Sequence, residues 1–136
     1  MSTEELIRAY YAAFNAGDRA AFLALLTEDV THDISQGGRE VGREAFSRFM
    51  DHMDGAYKER IADLVVLTEP SGTRAAAEFT VHGTYLRTDP GVTDGPQARG
   101  QGYVLPAGAF FEIRDGKVAR ISNHYNLGDW IRQVSA

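Results

Sequence analysis

The residues that could carry chemistry in this chain are few and widely separated. His32 and Asp33 are neighbours in an otherwise apolar stretch, where an imidazole beside a carboxylate can take up and release a proton. Tyr10 lies on the apolar side of a predicted helix, so its hydroxyl can point inward and donate a hydrogen bond. Asn123 and Tyr125 alternate along a predicted strand and can act as further donors. These residue types indicate acid/base chemistry.

Composition and motifs disfavour several other kinds of chemistry. The chain has 136 residues and no cysteine, which excludes disulfides, thiolate zinc sites and a cysteine nucleophile. Its four histidines lack the close spacing of metal ligands. The sequence contains neither a phosphate-binding glycine loop nor a G-x-S-x-G nucleophile elbow. We therefore expect no metal and no cofactor.

Charge and hydropathy indicate the surroundings in which the chain works. The net charge is -5 and the 14 lysines and arginines are scattered, so there is no basic patch for nucleic acid. No apolar stretch approaches the roughly 20 residues that span a bilayer. The first residues lack the pattern of a signal peptide. We expect a cytoplasmic protein with no nucleic-acid or membrane partner.

The periodicity of apolar residues changes from helical to strand-like along the chain. Helices come first and strands afterwards, which predicts an α+β fold in one domain, residues 1–136. The long loop 88–102, rich in Gly, Pro and Asp, is expected to act as a lid or to pack on a partner subunit. The predicted order is two short helices ending near Thr27, a strand at 29–34, a helix at 42–53, strands at 57–69, 74–87, 103–114 and 117–126, and a helix at 127–134.

Three segments of the sequence resemble a known family. The run Ala9–Asp18, the pair Val41-Gly42 and the turn Asp115–Val118 are similar to bacterial ketosteroid isomerases and their wider superfamily. On these motifs the chain is identified as a ketosteroid isomerase-related protein of the nuclear-transport-factor-2-like (NTF2-like, SnoaL-like) superfamily. The resemblance implies a cone of three N-terminal helices packed on a strongly curved, mixed, largely antiparallel sheet, with a short C-terminal helix. It also implies a homodimer formed through the outer face of the sheet.

The same resemblance implies an incomplete catalytic set. Tyr10 matches the tyrosine that donates to the developing oxyanion, although a buried structural tyrosine is the alternative. The base position falls on Asp33 or Ile34, depending on the strand register, and a solvated carboxylate at a strand end is the alternative for Asp33. Gly108 stands where the family has a protonated aspartate, so one donor is missing.

Strand alternation and helix spacing predict the walls of an apolar pocket. Alternate residues of 74–87 should face inward, and Gly108 should share its side with Phe110. The expected ligand-binding residues are Phe14, Phe49, Phe79, Val81, Gly108, Phe110, Asn123, Tyr125 and Trp130.

Two functions remain open for this pocket. One is a cofactor-free isomerase, cyclase or dehydratase for an apolar carbonyl compound, in which Asp33 or His32 moves the proton and Tyr10 donates to the oxygen. The other is a non-catalytic ligand-binding protein or dimeric interaction module.

Overall fold

Two N-terminal helices meet at a corner that the sequence specifies locally. Ser2 and Glu5 form a capping box at the start of the first helix, and Gly17 ends that helix in a left-handed conformation with φ 68°. Asp18 then caps the second helix by accepting a hydrogen bond from the backbone of Ala21. A computed structural model describes residues 1–92 and 95–136. Its elements are α1 Thr3–Ala16, α2 Arg19–Ala24, β1 Leu26–Asp33, β2 Arg39–Val41, α3 Arg43–Ala56, β3 Tyr57–Thr68, β4 Arg74–Tyr85, β5 Gly102–Arg114, β6 Lys117–Tyr125 and α4 Leu127–Ser135.

The six strands form one mixed sheet in the order β2-β1-β6-β5-β4-β3. β1 and β6 run parallel, and every other neighbouring pair is antiparallel. A register shift between Ala62 and Val65 accompanies the positive φ of 55° at Asp63. This bulge changes the phase of β3, so Ile61 before it and Leu64 after it both pack against the core. The predicted α+β cone is confirmed.

The core lies between the inner face of this sheet and the helices. β4 contributes the predicted alternating set, since Ala75, Ala77, Phe79 and Val81 are all buried. Burying these apolar side chains contributes about 25 cal/mol for each Å² removed from water. In the described residues, no helix is long and apolar enough to cross a membrane.

Several predicted boundaries differ from the structure. α2 ends at Ala24 and β1 begins at Leu26, whereas we expected a helix to Thr27. Leu26 is fully buried because it pairs with Val118 on β6, so tertiary pairing overrides its helix propensity. β2 was not predicted, because its three exposed residues carry no apolar alternation.

Candidate functional site

A cavity of about 590 Å³ lies between the concave face of the sheet and the helices. Its walls are mostly aromatic and aliphatic, with a small number of polar groups, which is the usual composition of a small-molecule site. Eight of the nine predicted ligand-binding residues line it, namely Phe14, Phe49, Phe79, Val81, Gly108, Asn123, Tyr125 and Trp130. Because these side chains surround a remaining volume, they do not plug the cone.

Glu59 on β3 projects into the cavity, and the sequence analysis did not select it. Its Oε2 accepts a hydrogen bond of 2.6 Å from the hydroxyl of Tyr103. Burial raises the pKa of Glu59, and the Tyr103 hydrogen bond offsets only part of that rise. A carboxyl group of this kind can hold or release a proton nearer neutral pH than an ordinary glutamate.

A glycine makes the contact between Glu59 and Tyr103 possible. Glu59 pairs with Gly83 on β4, and Gly83 pairs with Tyr103 on β5, so the three residues form one row across the sheet. A Cβ at position 83 would overlap the ring and hydroxyl of Tyr103. The tyrosine therefore crosses the middle strand over a residue without a side chain. A glycine inside a strand is a signal for such a close approach, and this one could have drawn attention to the row.

Asp89 is a second carboxyl group at the cavity, and it comes from the loop 88–102. It is 7% exposed and accepts hydrogen bonds from the Tyr57 hydroxyl at 2.7 Å and from the Gly91 amide at 2.8 Å. His52 Nε2 lies 3.0 Å from its Oδ1. Burial favours a higher pKa for Asp89, but these hydrogen bonds and His52 outweigh it and leave the pKa lowered. The surroundings thus favour the ionised form of Asp89 and disfavour the ionised form of Glu59.

His32 faces the cavity and is almost completely buried. Its ring stacks on Phe46 with centroids 4.2 Å apart, and its Nε2 lies 3.4 Å from Nδ2 of Asn123. Burial lowers the pKa of His32 to about 4, and the charge of Asp33 counteracts this only in part. The imidazole is therefore neutral at neutral pH, and within the described structure its Nδ1 has no hydrogen-bond partner.

Asp33, the sequence-predicted base, lies outside the cavity, and this prediction is wrong. Strand alternation turns His32 and Ile34 inward and Asp33 outward. Asp33 forms two hydrogen bonds with Arg39, at 2.6 and 3.0 Å, and a longer one with Arg120 at 3.3 Å. The hydrogen bonds from Arg39, more than those from Arg120, lower the pKa of Asp33. It is a surface ion-pair residue.

Two adjacent tyrosines line the buried end of the cavity. Tyr10 is 5% exposed and packs against Tyr11, Phe22 and Phe111. Burial raises the pKa of both tyrosines, so both remain protonated donors. Tyr11 was not selected from the sequence, yet its hydroxyl is buried with no hydrogen-bond partner among residues 1–92 and 95–136.

The remaining predicted residues lie on β5 and β6. Asn123 and Tyr125 line the cavity as the alternation suggested, and Gly108 borders it through its backbone. Phe110 does not line it, so this prediction is wrong. Its side chain is 54% exposed on the outer face, beside the ring of His124. The phase of β5 is set by the buried residues Leu105, Ala109 and Phe111, which turn the even-numbered positions outward.

Comparison with known proteins agrees with this geometry. A sequence profile of the SnoaL-like domain matches residues 7–121. The chain belongs to the SnoaL-like family. A solved candidate polyketide cyclase from Pseudomonas putida KT2440 is 60% identical over 98% of both chains, with a TM-score of 0.94.

More distant structures share the fold of this SnoaL-like chain. An NTF2-like protein of unknown function from Burkholderia pseudomallei K96243 has a TM-score of 0.81 at 21% identity and covers 100% of both chains. TerC, co-crystallised with polyporic acid, has a TM-score of 0.77 at 19% identity over 98% of both chains. The predicted NTF2-like architecture is thereby confirmed. A search of curated protein sequences found no match.

The polar groups of this SnoaL-like cavity define what it can do chemically. Glu59 and Asp89 are carboxyl groups whose pKa values are shifted in opposite directions by their surroundings. Tyr10 can donate to a ligand oxygen, Tyr11 lines the same cavity, and His32 adds a neutral imidazole. In the described part of the chain, no three His, Cys, Asp or Glu side chains cluster to hold a metal ion. The arrangement fits proton transfer with hydrogen-bond stabilisation of an oxygen.

Proposed function

We propose that this SnoaL-like protein catalyses cofactor-free isomerisation, cyclisation or dehydration of an apolar carbonyl compound, with Glu59 as the group that moves the proton. The observation that carries the proposal is a carboxyl group with a raised pKa in an aromatic cavity, held by one tyrosine hydroxyl. When the surroundings push the pKa values of two carboxyl groups apart, one group is suited to act as an acid and the other as a base. The relation to a candidate polyketide cyclase at 60% identity supports the same class of substrate.

In the proposed reaction the Glu59 carboxylate removes a proton from the carbon next to the carbonyl. The electron pair of the broken C–H bond forms an enolate, whose oxygen accepts a hydrogen bond from a tyrosine hydroxyl. Glu59, now protonated, returns the proton to another atom of the substrate. Tyr10 is suited to the donor role because it lines the cavity and burial, which raises its pKa, keeps its hydroxyl protonated, and Tyr11 lines the same cavity. A positioned base contributes roughly 10² to 10⁴ in rate.

Hydrogen–deuterium exchange of a small ketone tests this proposal without knowledge of the natural substrate. 2-Tetralone is apolar and bicyclic, and the loss of its α-proton signals in D₂O can be followed by NMR. We expect the wild-type protein to accelerate exchange and Glu59→Gln to lower the rate about 100-fold or more. Glu112→Gln is the matched control, because Glu112 is an outer-face carboxylate paired with Arg120 at 2.8 Å. The proposal fails if Glu59→Gln and Glu112→Gln exchange the ketone at the same rate.

The outer face of the sheet supports the proposal of a homodimer. Val104 and Phe110 on β5 are 50% and 54% exposed, and Val65 and Leu67 on β3 are 47% and 62% exposed. Large apolar side chains gathered on one sheet face favour association. We expect light scattering to give the dimer mass for the wild type and the monomer mass for Phe110→Glu. A monomeric wild type at micromolar concentration contradicts this proposal.

A further inference from the structure

One end of the cavity is acidic and aromatic. We call it the acidic end and define it by Glu59, Asp89, Tyr57, Tyr125 and Trp130, all of which line the cavity. The rings of Tyr57 and Trp130 lie 6.0 Å apart at 68° to each other. Burial raises the pKa of Tyr125, and the charges of Glu59 and Asp89 raise it further.

Among the described residues of the cavity wall, His52 is the basic side chain that pairs with a carboxylate of the acidic end. Within residues 1–92 and 95–136, no lysine or arginine lines the cavity, although the chain has 14 of them. The guanidinium of Arg87, two residues before Asp89, lies against Gly55 and does not line the cavity, and Arg120 pairs with Asp33 and Glu112. His52 is the imidazole beside Asp89, and it is 47% exposed at the cavity mouth. A buried carboxylate normally requires a charged or hydrogen-bonding partner.

The hydrogen bonds of the two carboxyl groups show where a ligand partner is needed. Asp89 receives donors on both of its oxygens from Tyr57, His52 and Gly91. Glu59 receives one donor, from Tyr103 on Oε2. Within the described structure, Oε1 of Glu59 has no hydrogen-bond donor, so it is the carboxyl oxygen of the acidic end that can accept a hydrogen bond from a ligand.

We infer that the cavity selects ring compounds by charge, preferring a protonated amine to a neutral ligand and rejecting a carboxylate. This inference rests on the proposed function only in using the same cavity. The ammonium group lies at the acidic end, where the carboxylate of Asp89 attracts it and the aromatic rings of Tyr57 and Trp130 line the cavity beside it. A carboxylate placed there faces two carboxyl groups, and no lysine or arginine of the described wall offsets its loss of hydration. Glu59 remains free to exchange protons, while Asp89 holds the charge.

Three naphthalene ligands of nearly equal size test the inference by calorimetry at pH 7. The ligands are 2-naphthylmethylamine, 2-naphthylmethanol and 2-naphthoate, which are cationic, neutral and anionic. We expect Kd to rise in that order by about tenfold at each step, the scale of partly desolvated charge contacts. Equal binding of the alcohol and the carboxylate, or of the amine and the alcohol, overturns the inference. Failure of all three to bind overturns it as well.

Two variants distinguish an effect of the acidic end on binding from a general effect of the protein's charge. Asp89→Asn should remove the advantage of the amine over the alcohol, so that the ratio of their two Kd values falls from about ten to about one. Asp51→Asn removes an exposed carboxylate that pairs with Arg19 outside the cavity, and it should preserve the order. If Asp89→Asn does not fold, the order measured with the wild type decides alone. The neutral ketone exchange assay is independent of this order, so either proposal can fail without the other.

Discussion

The hydrogen bond from Tyr103 to Glu59 allows a quantitative prediction about the pKa of the proposed base. Its Oη–Oε2 distance is 2.6 Å, and it stabilises the ionised form of Glu59. A hydrogen bond to a charged group contributes about 1.5–3 kcal/mol. Tyr103→Phe should therefore raise the pKa of Glu59, because the ionised form loses a stabilisation of about this size.

Carbon-13 NMR of the glutamate carboxyl groups measures this change directly. The Glu59 resonance is assigned by its loss in Glu59→Gln, and its titration midpoint is compared between the wild type and Tyr103→Phe. Tyr57→Phe is the matched control, because the Tyr57 hydroxyl donates to Asp89 and not to Glu59. An unchanged or lower Glu59 midpoint in Tyr103→Phe refutes the reasoning, provided that the variant retains the wild-type fold.

Two further predictions concern the row across the sheet and the buried imidazole. In Gly83→Ala the new methyl group overlaps the ring of Tyr103. We expect the titration midpoint of Glu59 to rise as in Tyr103→Phe, and the free energy of unfolding to fall by about 1–3 kcal/mol. An unchanged Glu59 midpoint contradicts the role of Gly83 in the row of Glu59, Gly83 and Tyr103. His32 has a pKa of about 4 when folded and about 6.5 when unfolded, so the unfolded chain binds the extra proton and stability falls as pH drops through this window. Between pH 7 and pH 4.5 this group removes about 2–3 kcal/mol, and urea unfolding should show that loss in the wild type and a correspondingly smaller one in His32→Phe. Equal losses in both proteins contradict the buried neutral state of His32.

The sequence was informative wherever local pattern decides structure. The apolar spacing of α1 placed Tyr10 on the buried face, and the alternation of Ala75, Ala77, Phe79 and Val81 gave the inner face of β4 correctly. These features depend on residues within one element. The Asn-Ala-Gly-Asp corner was equally readable, because Gly17 adopts a left-handed conformation and Asp18 is the cap of α2.

The residues most important to the proposed chemistry could not be predicted from the sequence, because tertiary structure creates their surroundings. Asp89 lies in a long loop, and its burial arises only because Tyr57 and His52 from other elements meet it there. The contact of Glu59 with Tyr103 requires the neighbouring order of β3, β4 and β5, which periodicity does not specify.

Two predicted site residues were placed on the wrong face of their strands, again because the sequence alone does not specify the tertiary packing. Asp33 was chosen for its neighbour His32, but adjacent strand residues face opposite sides, and Arg39 and Arg120 hold Asp33 outside. Phe110 was placed inward with Gly108, whereas the burial of Ala109 and Phe111 fixes the opposite phase. In both strands, an offset of one residue in the assumed alternation moves a side chain from the cavity to the solvent-exposed face.

The central claim is that Glu59 carries the proton, and the pH dependence of 2-tetralone exchange tests it most directly. The account predicts that the exchange rate rises on a single ionisation whose midpoint lies above the usual glutamate value of about 4.3 and equals the Glu59 midpoint measured by NMR. It also predicts that this ionisation disappears from the residual rate of Glu59→Gln. A kinetic midpoint that differs from the Glu59 titration, or that persists in Glu59→Gln, contradicts the account.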